Sequence, residues 1–239
     1  MRVLVVTAVP AERDAVTRAF GGGPGMREVP GAELHRAGPF DVLAGGVGPA
    51  AAAAATAFAL AAAPLSAPYA LVVSAGIGGG FAPAAPVGSL VVATGIVAAD
   101  LGAETPDGFV PVTGLGFGRD TFLPPEALVR DVAEATGAVP GPVLTVSTVT
   151  GSAARTAELL AAHPGALAEA MEGFGVAEAA DRFGVPALEL RAVSNTVGPR
   201  DREAWRIGDA LAALTGAFGK TAPVVESWNR HDRLDRHRD

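Results

Sequence analysis

Residues 70–81, ALVVSAGIGGGF, decide the fold. Ala70–Ser74 is an apolar run of the kind that forms a strand buried on both faces. It gives way to Ala75-Gly76-Ile77-Gly78-Gly79-Gly80-Phe81, which reads as a glycine loop at the strand's carboxyl end. Upstream, Val3–Val6 is a second such run, and Pro10 suits the first turn of a helix over Ala11–Phe20. Pro49–Ala62 is nearly all alanine, the best helix former, and small enough to pack tightly on a sheet. Downstream, Ser89–Ala98, Val143–Val149 and Ala187–Ser194 read as strands. Glu126–Thr136, Ala153–Ala162, Gly173–Phe183 and Glu203 to about Trp228 read as helices, with Gly184-Val185-Pro186 stopping the third. Gly21–Gly31 reads as a loop, Glu33–Gly45 as two short strands turning at Gly38-Pro39, and Leu101–Pro125 as an irregular, mobile flap. Strands alternating with helices predict an α/β fold, a three-layer αβα sandwich. With no linker and no repeat, one domain is expected over residues 1–228, followed by a charged tail at 229–239.

Composition narrows the function classes. The chain has 239 residues, 49% hydrophobic and 18% charged, which argues against disorder over most of its length. Its formal net charge of −7, without a basic stripe, makes nucleic acid a poor partner, because such binding depends on neutralising phosphates. The chain contains no cysteine, so disulfides, thiolate metal sites and cysteine nucleophiles are excluded. His35, His163, His231 and His237 form no HExxH pair, and no metal site is expected. The opening MRVLVVTAVPAERD is too short and too soon charged for a secretory signal. Pro49–Pro64 is too short to span a bilayer, which takes roughly 20 apolar residues. A soluble cytoplasmic protein without a membrane partner is expected.

In α/β sheets, ligands bind beyond the carboxyl ends of strands. Four such segments stand out: Thr7-Ala8-Val9-Pro10-Ala11-Glu12; Ser74-Ala75-Gly76-Ile77-Gly78-Gly79; Ala170-Met171-Glu172-Gly173; and Arg191-Ala192-Val193-Ser194-Asn195 with Gly198-Pro199-Arg200-Asp201 and Trp205. Glu12 near a helix N-terminus is either an ordinary first-turn acid or a functional one. Glu172 in apolar surroundings is either a helix-capping acid or a partnered, functional carboxylate, since burying it alone is unfavourable. Arg191 either orients Glu172 or is solvated, and Trp205 either stacks on a flat ligand or anchors the last helix. The glycine segment misses the G-x-G-x-x-G pattern at Phe81, and Pro83 and Pro86 block a following helix. Gly45-Gly46-Val47-Gly48 opens a helix but misses the last glycine at Ala51. A dinucleotide site is therefore disfavoured; a sugar lining or a tight turn fits the glycines better.

Taken together and in order, these segments resemble the methylthioadenosine/S-adenosylhomocysteine nucleosidase family, from Met1 to about Phe218. That resemblance implies a nucleoside phosphorylase-like sandwich around a twisted mixed sheet. It implies that Glu12, near Ala8, activates the attacking water, that Ser74-Ala75-Gly76 lies beside the ribose, and that Glu172 after Met171 binds the ribose hydroxyls. Thr148-Val149-Thr150-Gly151 would meet the purine edge, and Trp205 would cover the purine. One departure matters: the nucleosidases end their last core strand in Arg-Ala-(Val/Ile)-Ser-Asp, with the aspartate protonating adenine, whereas this chain has Asn195 after Ser194. An asparagine offers two N–H donors and one acceptor but no transferable proton. That suits a 6-oxopurine, with acceptors at O6 and N7.

The stretch from Thr7 to Glu12, with Ser194-Asn195-Thr196-Val197-Gly198-Pro199-Arg200-Asp201 and Trp205, is similar to futalosine hydrolases in particular. This resemblance implies hydrolysis of futalosine to hypoxanthine and dehypoxanthinyl futalosine in menaquinone biosynthesis, with no cofactor. The substrate's benzoate-bearing arm implies an apolar 5′ pocket, for which Phe109, Phe117 and Phe122 are candidate walls. Asp201 is a further candidate proton donor. A homo-oligomer is expected from the abundant apolar residues and the resemblance. The alternatives are an adenine-specific nucleosidase, disfavoured by Asn195; a phosphorolytic enzyme, disfavoured because Arg27 and Arg36 are the only arginines between Gly21 and Gly80; and a non-catalytic nucleoside-binding protein, which would not need Glu12.

Overall fold

The computed structural model describes residues 2–235 apart from residues 22, 24, 30 and 31. Apolar runs form the centre of the sheet: β1 (Arg2–Thr7), β5 (Tyr69–Gly80), β6 (Leu90–Ala98), β10 (Val139–Thr145) and β12 (Ala187–Thr196). The edges are β2 (Gly25–Val29), β3 (Ala32–Ala37), β4 (Phe40–Ala44) and the short β11 (Ala168–Ala170). The order across the sheet is β11-β10-β6-β12-β5-β1-β4-β3-β2, with β9 (Thr121–Phe122) added to β6. Parallel and antiparallel pairings mix, and β11 also pairs antiparallel with the far end of β5, so the sheet curls back on itself.

Helices cover both faces. α1 (Pro10–Arg18), α3 (Glu126–Thr136) and α6 (Ile207–Asp235) enclose one core with Val3, Val5, Leu71, Val73, Leu190 and Phe218. α2 (Pro49–Ala61) and α5 (Gly173–Arg182) cover the other face, while α4 (Ala153–Ala162) packs near β10 through Leu159. The expected αβα sandwich around a mixed sheet is therefore the fold. None of the described helices is long and apolar enough to cross a membrane.

Several local expectations change. The glycine segment after Ser74 is not a loop: β5 runs through to Gly80, pairing Gly76–Gly80 with β12 and Gly79–Gly80 with β11. A Cβ on Gly78 would stand 2.8 Å from the Glu169 carbonyl oxygen, so glycine marks a close approach of two backbones rather than a turn. The loop expected at Gly21–Gly31 contains the edge strand β2, held by β3. The flap at Leu101–Pro125 contains a hairpin of β7 (Gly102–Thr105) and β8 (Gly108–Pro111), then β9. The strand expected at Val143–Val149 lies earlier, and α6 starts at Ile207, after Trp205. α6 continues into the stretch read as a tail; residues 236–239 lie outside the described residues.

Candidate active site

Arg191 organises the site. On β12 it stands opposite Gly76 of β5, which has no side chain, and its guanidinium fills the space left. A Cβ on Gly76 would stand 2.5 Å from Glu12 Oε1 and 2.8 Å from Arg191 Nη1. The residue is 1% exposed, and each guanidinium nitrogen has a partner. Nε donates to Glu189 Oε1 at 2.8 Å, Nη1 pairs with Glu172 Oε2 at 3.3 Å, and Nη2 donates to Ser74 Oγ at 2.9 Å. Of the two readings open for Arg191, orientation of Glu172 is the one the geometry supports; a solvated arginine is excluded.

Glu172 is 5% exposed and stands just before α5. Its side chain does not cap that helix; Oε1 instead accepts from the Gly48 amide at 3.2 Å, at the start of α2. The second glycine loop of the sequence thus offers an N–H to a carboxylate rather than to a phosphate. Glu12, 4% exposed, reaches the same place from α1. Its Oε2 accepts from Ala8 and Val9 amides at 2.9 and 3.2 Å, and Oε1 from the Ile77 amide at 2.9 Å. It is therefore both a first-turn acid and a member of the buried cluster. Burial pushes its pKa above the ordinary 4.5, and the nearby Glu172 charge adds to this, against the opposing pull of Arg191 and the backbone donors.

The second part of the site is a cavity of about 230 Å³. Val149, Thr150, Asn195, Arg200, Asp201 and Trp205 are among its walls. The register of β12 shifts between Val193 and Asn195, and this irregularity brings Asn195 beside Gly79. Asn195 Oδ1 accepts from Ser194 Oγ at 2.8 Å. Asn195 Nδ2 lies 3.3 Å from where a Cβ on Gly79 would stand. The backbone from Ile77, bonded to Glu12, to Gly79, beside Asn195, is two strand steps, roughly 7 Å at 3.3–3.4 Å per residue. Glu12 and Asn195 are thus held against the same stretch of β5, although the walls of the cavity itself do not include Glu12 or Glu172.

After β12 the chain folds back over this cavity. Arg206 N donates to Ser194 O at 2.8 Å, which ties the loop to the strand end. Trp205 therefore stands in the loop as part of the cavity wall, with the Arg200 and Arg202 guanidinium groups 5.5 and 5.7 Å from its ring centre. Asp201 accepts from the Glu203 amide at 3.2 Å.

Not every candidate residue joins the site. Ala75 faces the core under α1, α3 and α6. Thr148 is exposed and Met171 half-buried, and neither belongs to the cavity wall, whereas Val149 and Thr150 do. Phe122 is buried against Phe174, with ring centres 5.2 Å apart, so it serves the core rather than a pocket; Phe109 and Phe117 are exposed. Besides Asp41 at the far side of the sheet, two buried acids escaped the sequence reading. Glu189 was legible as one of two opposite charges at i and i+2 on a strand whose other face, Leu188, Leu190 and Ala192, is apolar. Glu169 carried no such signal, since its partner Thr150 is remote in sequence. Arg27 and Arg36 bond to Ala62 O and Asp41, at the β2–β4 edge of the sheet.

Comparisons with known proteins agree with this arrangement. Residues 3–224 match the family model described as the phosphorylase superfamily. The chain is 70% identical to the futalosine hydrolase of Streptomyces coelicolor, over 98% of this chain and all of that one. It is 46% identical to the futalosine hydrolase of Acidothermus cellulolyticus, over 90% and 88%. The fold matches a 5′-methylthioadenosine/S-adenosylhomocysteine nucleosidase from Colwellia psychrerythraea, solved with adenine, at a TM-score of 0.79, with 21% identity over 94% of this chain and 95% of that one. By the near-complete length and level of these sequence matches, the chain belongs to the futalosine hydrolase family of the phosphorylase superfamily.

Proposed function

We propose that this protein hydrolyses the N-glycosidic bond of futalosine, releasing hypoxanthine and dehypoxanthinyl futalosine, as a step in menaquinone biosynthesis. The observation that carries the reading is the buried Glu12–Arg191–Glu172 cluster, whose Glu12 is bonded to β5 at Ile77, two residues before the Gly79 that stands beside Asn195 of the cavity. Family membership at 70% identity supports the same substrate.

In the proposed reaction Glu172, steadied by Arg191 and Gly48, accepts from the 2′- and 3′-hydroxyls. Glu12 takes a proton from water as the water oxygen bonds to C1′. The C1′–N9 bond breaks, and its electron pair leaves with the purine. The ribosyl group passes through an oxocarbenium-like state, which the two carboxylates stabilise. Asn195 donates to the departing base, whose acceptors fit an amide N–H. Asp201, in the same cavity wall, is the candidate that returns a proton to the base. Ser74 and Gly76 line the sugar side, and Trp205 covers the base. The reaction needs no cofactor.

Hydrolysis is favoured over phosphorolysis because Arg191 is already committed to Glu189, Glu172 and Ser74. A phosphate subsite would need free, convergent cationic donors. The exposed apolar residues of the flap, Leu101, Phe117 and Leu123, support a homo-oligomer. The test is base release from futalosine, inosine and methylthioadenosine, each with and without phosphate. Futalosine is expected to be cleaved fastest and independently of phosphate. Phosphate-dependent release would replace the hydrolase by a phosphorylase, and no release at all would leave a binding protein.

A further inference from the structure

Thr150 has two hydrogen-bond donors, and one carboxylate takes both. Its amide donates to Glu169 Oε1 at 2.8 Å, and its hydroxyl donates to Glu169 Oε2. Glu169, on β11, is 4% exposed and makes no contact with Arg191 that could enlist it in the acid cluster. Burial pushes its pKa up, and the two Thr150 bonds pull the other way, as does the Arg155 charge. A threonine held in this way has only lone pairs left to offer a ligand. Thr150 belongs to the same cavity wall as Asn195, whose carbonyl accepts from Ser194 and whose Nδ2 donates one N–H to Thr196 O at 3.2 Å, which leaves its second N–H as the donor.

The cavity thus pairs one donor with one acceptor. A 6-oxopurine carries the complement: an acceptor at O6 and a donor at N1–H. A 6-aminopurine carries the reverse, a donor at the amino group and a lone pair at N1. We propose that Glu169 turns Thr150 into an obligate acceptor for N1–H, and that the Glu169–Thr150 pair, together with Asn195, makes the base subsite specific for 6-oxopurines. Glu169 is a positioning residue acting through Thr150. The proposal rests on the hydrolase reading for the ligand's identity, but free bases test it without any turnover.

Calorimetric titration of the full chain with hypoxanthine, adenine and 1-deazahypoxanthine, in which N1–H is C–H, reads the effect directly. The unsubstituted protein should bind hypoxanthine more tightly than adenine, and should bind the deaza analogue about ten- to a hundredfold more weakly than hypoxanthine, as expected for one buried hydrogen bond left unmade. Thr150→Val and Glu169→Gln should shrink the hypoxanthine-to-adenine preference by a similar factor, and Thr150→Ser should retain it. Equal weakening of both bases, or an unchanged ratio in Thr150→Val and Glu169→Gln, would overturn the proposal. If neither variant folds, equal binding of hypoxanthine and its deaza analogue by the unsubstituted chain overturns it instead. Failure to cleave futalosine with the base preference intact would remove the hydrolase reading and keep this one; cleavage with no base preference would do the opposite.

Discussion

At the scale of single residues, Glu12 is where burial and hydrogen bonding compete most directly for a functional outcome. Three backbone amides and the Arg191 charge favour its ionised form, but burial outweighs them and its pKa lies above 4.5. A group that must accept a proton from water is inactive once protonated, so kcat/KM should fall as pH drops through that raised value. The limb should lie above the ordinary glutamate range, and a pH–rate profile checks it. Glu12→Gln should remove the acid limb and lower kcat by about 10²–10⁴, the usual worth of a general base. Substrate binding, measured separately, should change little, because the ribose hydroxyls are assigned to Glu172. Near-normal turnover in that variant would take Glu12 out of the mechanism. The raised value also has a stability sign: the folded state prefers the protonated acid, so this contribution is full below pH 4.5 and is lost as pH rises through the folded pKa.

At the scale of elements, the contact of α5 with α2 sets the position of Glu172. A Cβ on Gly175 would collide with the Pro49 carbonyl oxygen, a backbone atom that cannot swing away. Gly48, immediately before Pro49, donates the amide that holds Glu172. Gly175→Ala should therefore force the two helices apart, destabilising the fold by about 1–3 kcal/mol, as overpacking does. In a chain of this size that lowers Tm by roughly 2–4 °C per kcal/mol. The same displacement separates Gly48 from Glu172, so KM should rise as well. A variant with reduced Tm and unaltered KM would show that the helix contact and the ribose site are uncoupled. The alanine content of α2 has the same logic, since small side chains let this helix approach α5 and the sheet closely.

Across the whole molecule, the sheet is tied at its β1–β4 side by a polar knot remote from the site. Asp41 accepts from Arg2, from Tyr69 Oη at 2.8 Å and from Arg36 Nε at 3.3 Å, joining β1, β3, β4 and β5. Burial alone would raise the Asp41 pKa, but Arg2, Tyr69 and Arg36 together hold it below 3.8, while the same contact and burial push the Tyr69 phenol well up. With a folded pKa below the unfolded one, the stabilisation is fully present above pH 3.8 and is lost as pH falls through the folded value. Asp41→Asn should weaken folding at pH 7 by about 1–3 kcal/mol, as loss of a buried charge-assisted bond does. The difference from the unsubstituted protein should close on acidification below pH 3.8, read as urea midpoints along a pH series. Futalosine cleavage at pH 7 should be unaffected. A gap that stays constant with pH would mean that the carboxylate is not held ionised by these partners.

Sequence by itself determined the layers, because burial on two faces forces the apolar runs of β1, β5 and β12, and Glu126–Thr136 and Ala153–Ala162 read as helices over the bounds that α3 and α4 have. It also pointed to Glu12, Glu172, Arg191, Asn195 and Trp205, since the segments that carry them lie at strand ends or helix starts, where α/β sheets bind ligands. Tertiary structure alone decided that Gly76–Gly80 continue β5, because only the approach of β11 and Arg191 explains glycine there. It alone turned Asn195 into its cavity, through a register shift invisible in a one-dimensional pattern. It alone joined Thr150 to Glu169 and Gly48 to Glu172, 19 and 124 residues apart. Local propensity is written in neighbouring residues, whereas the satisfaction of a buried polar group depends on whatever the fold brings within 3 Å of it.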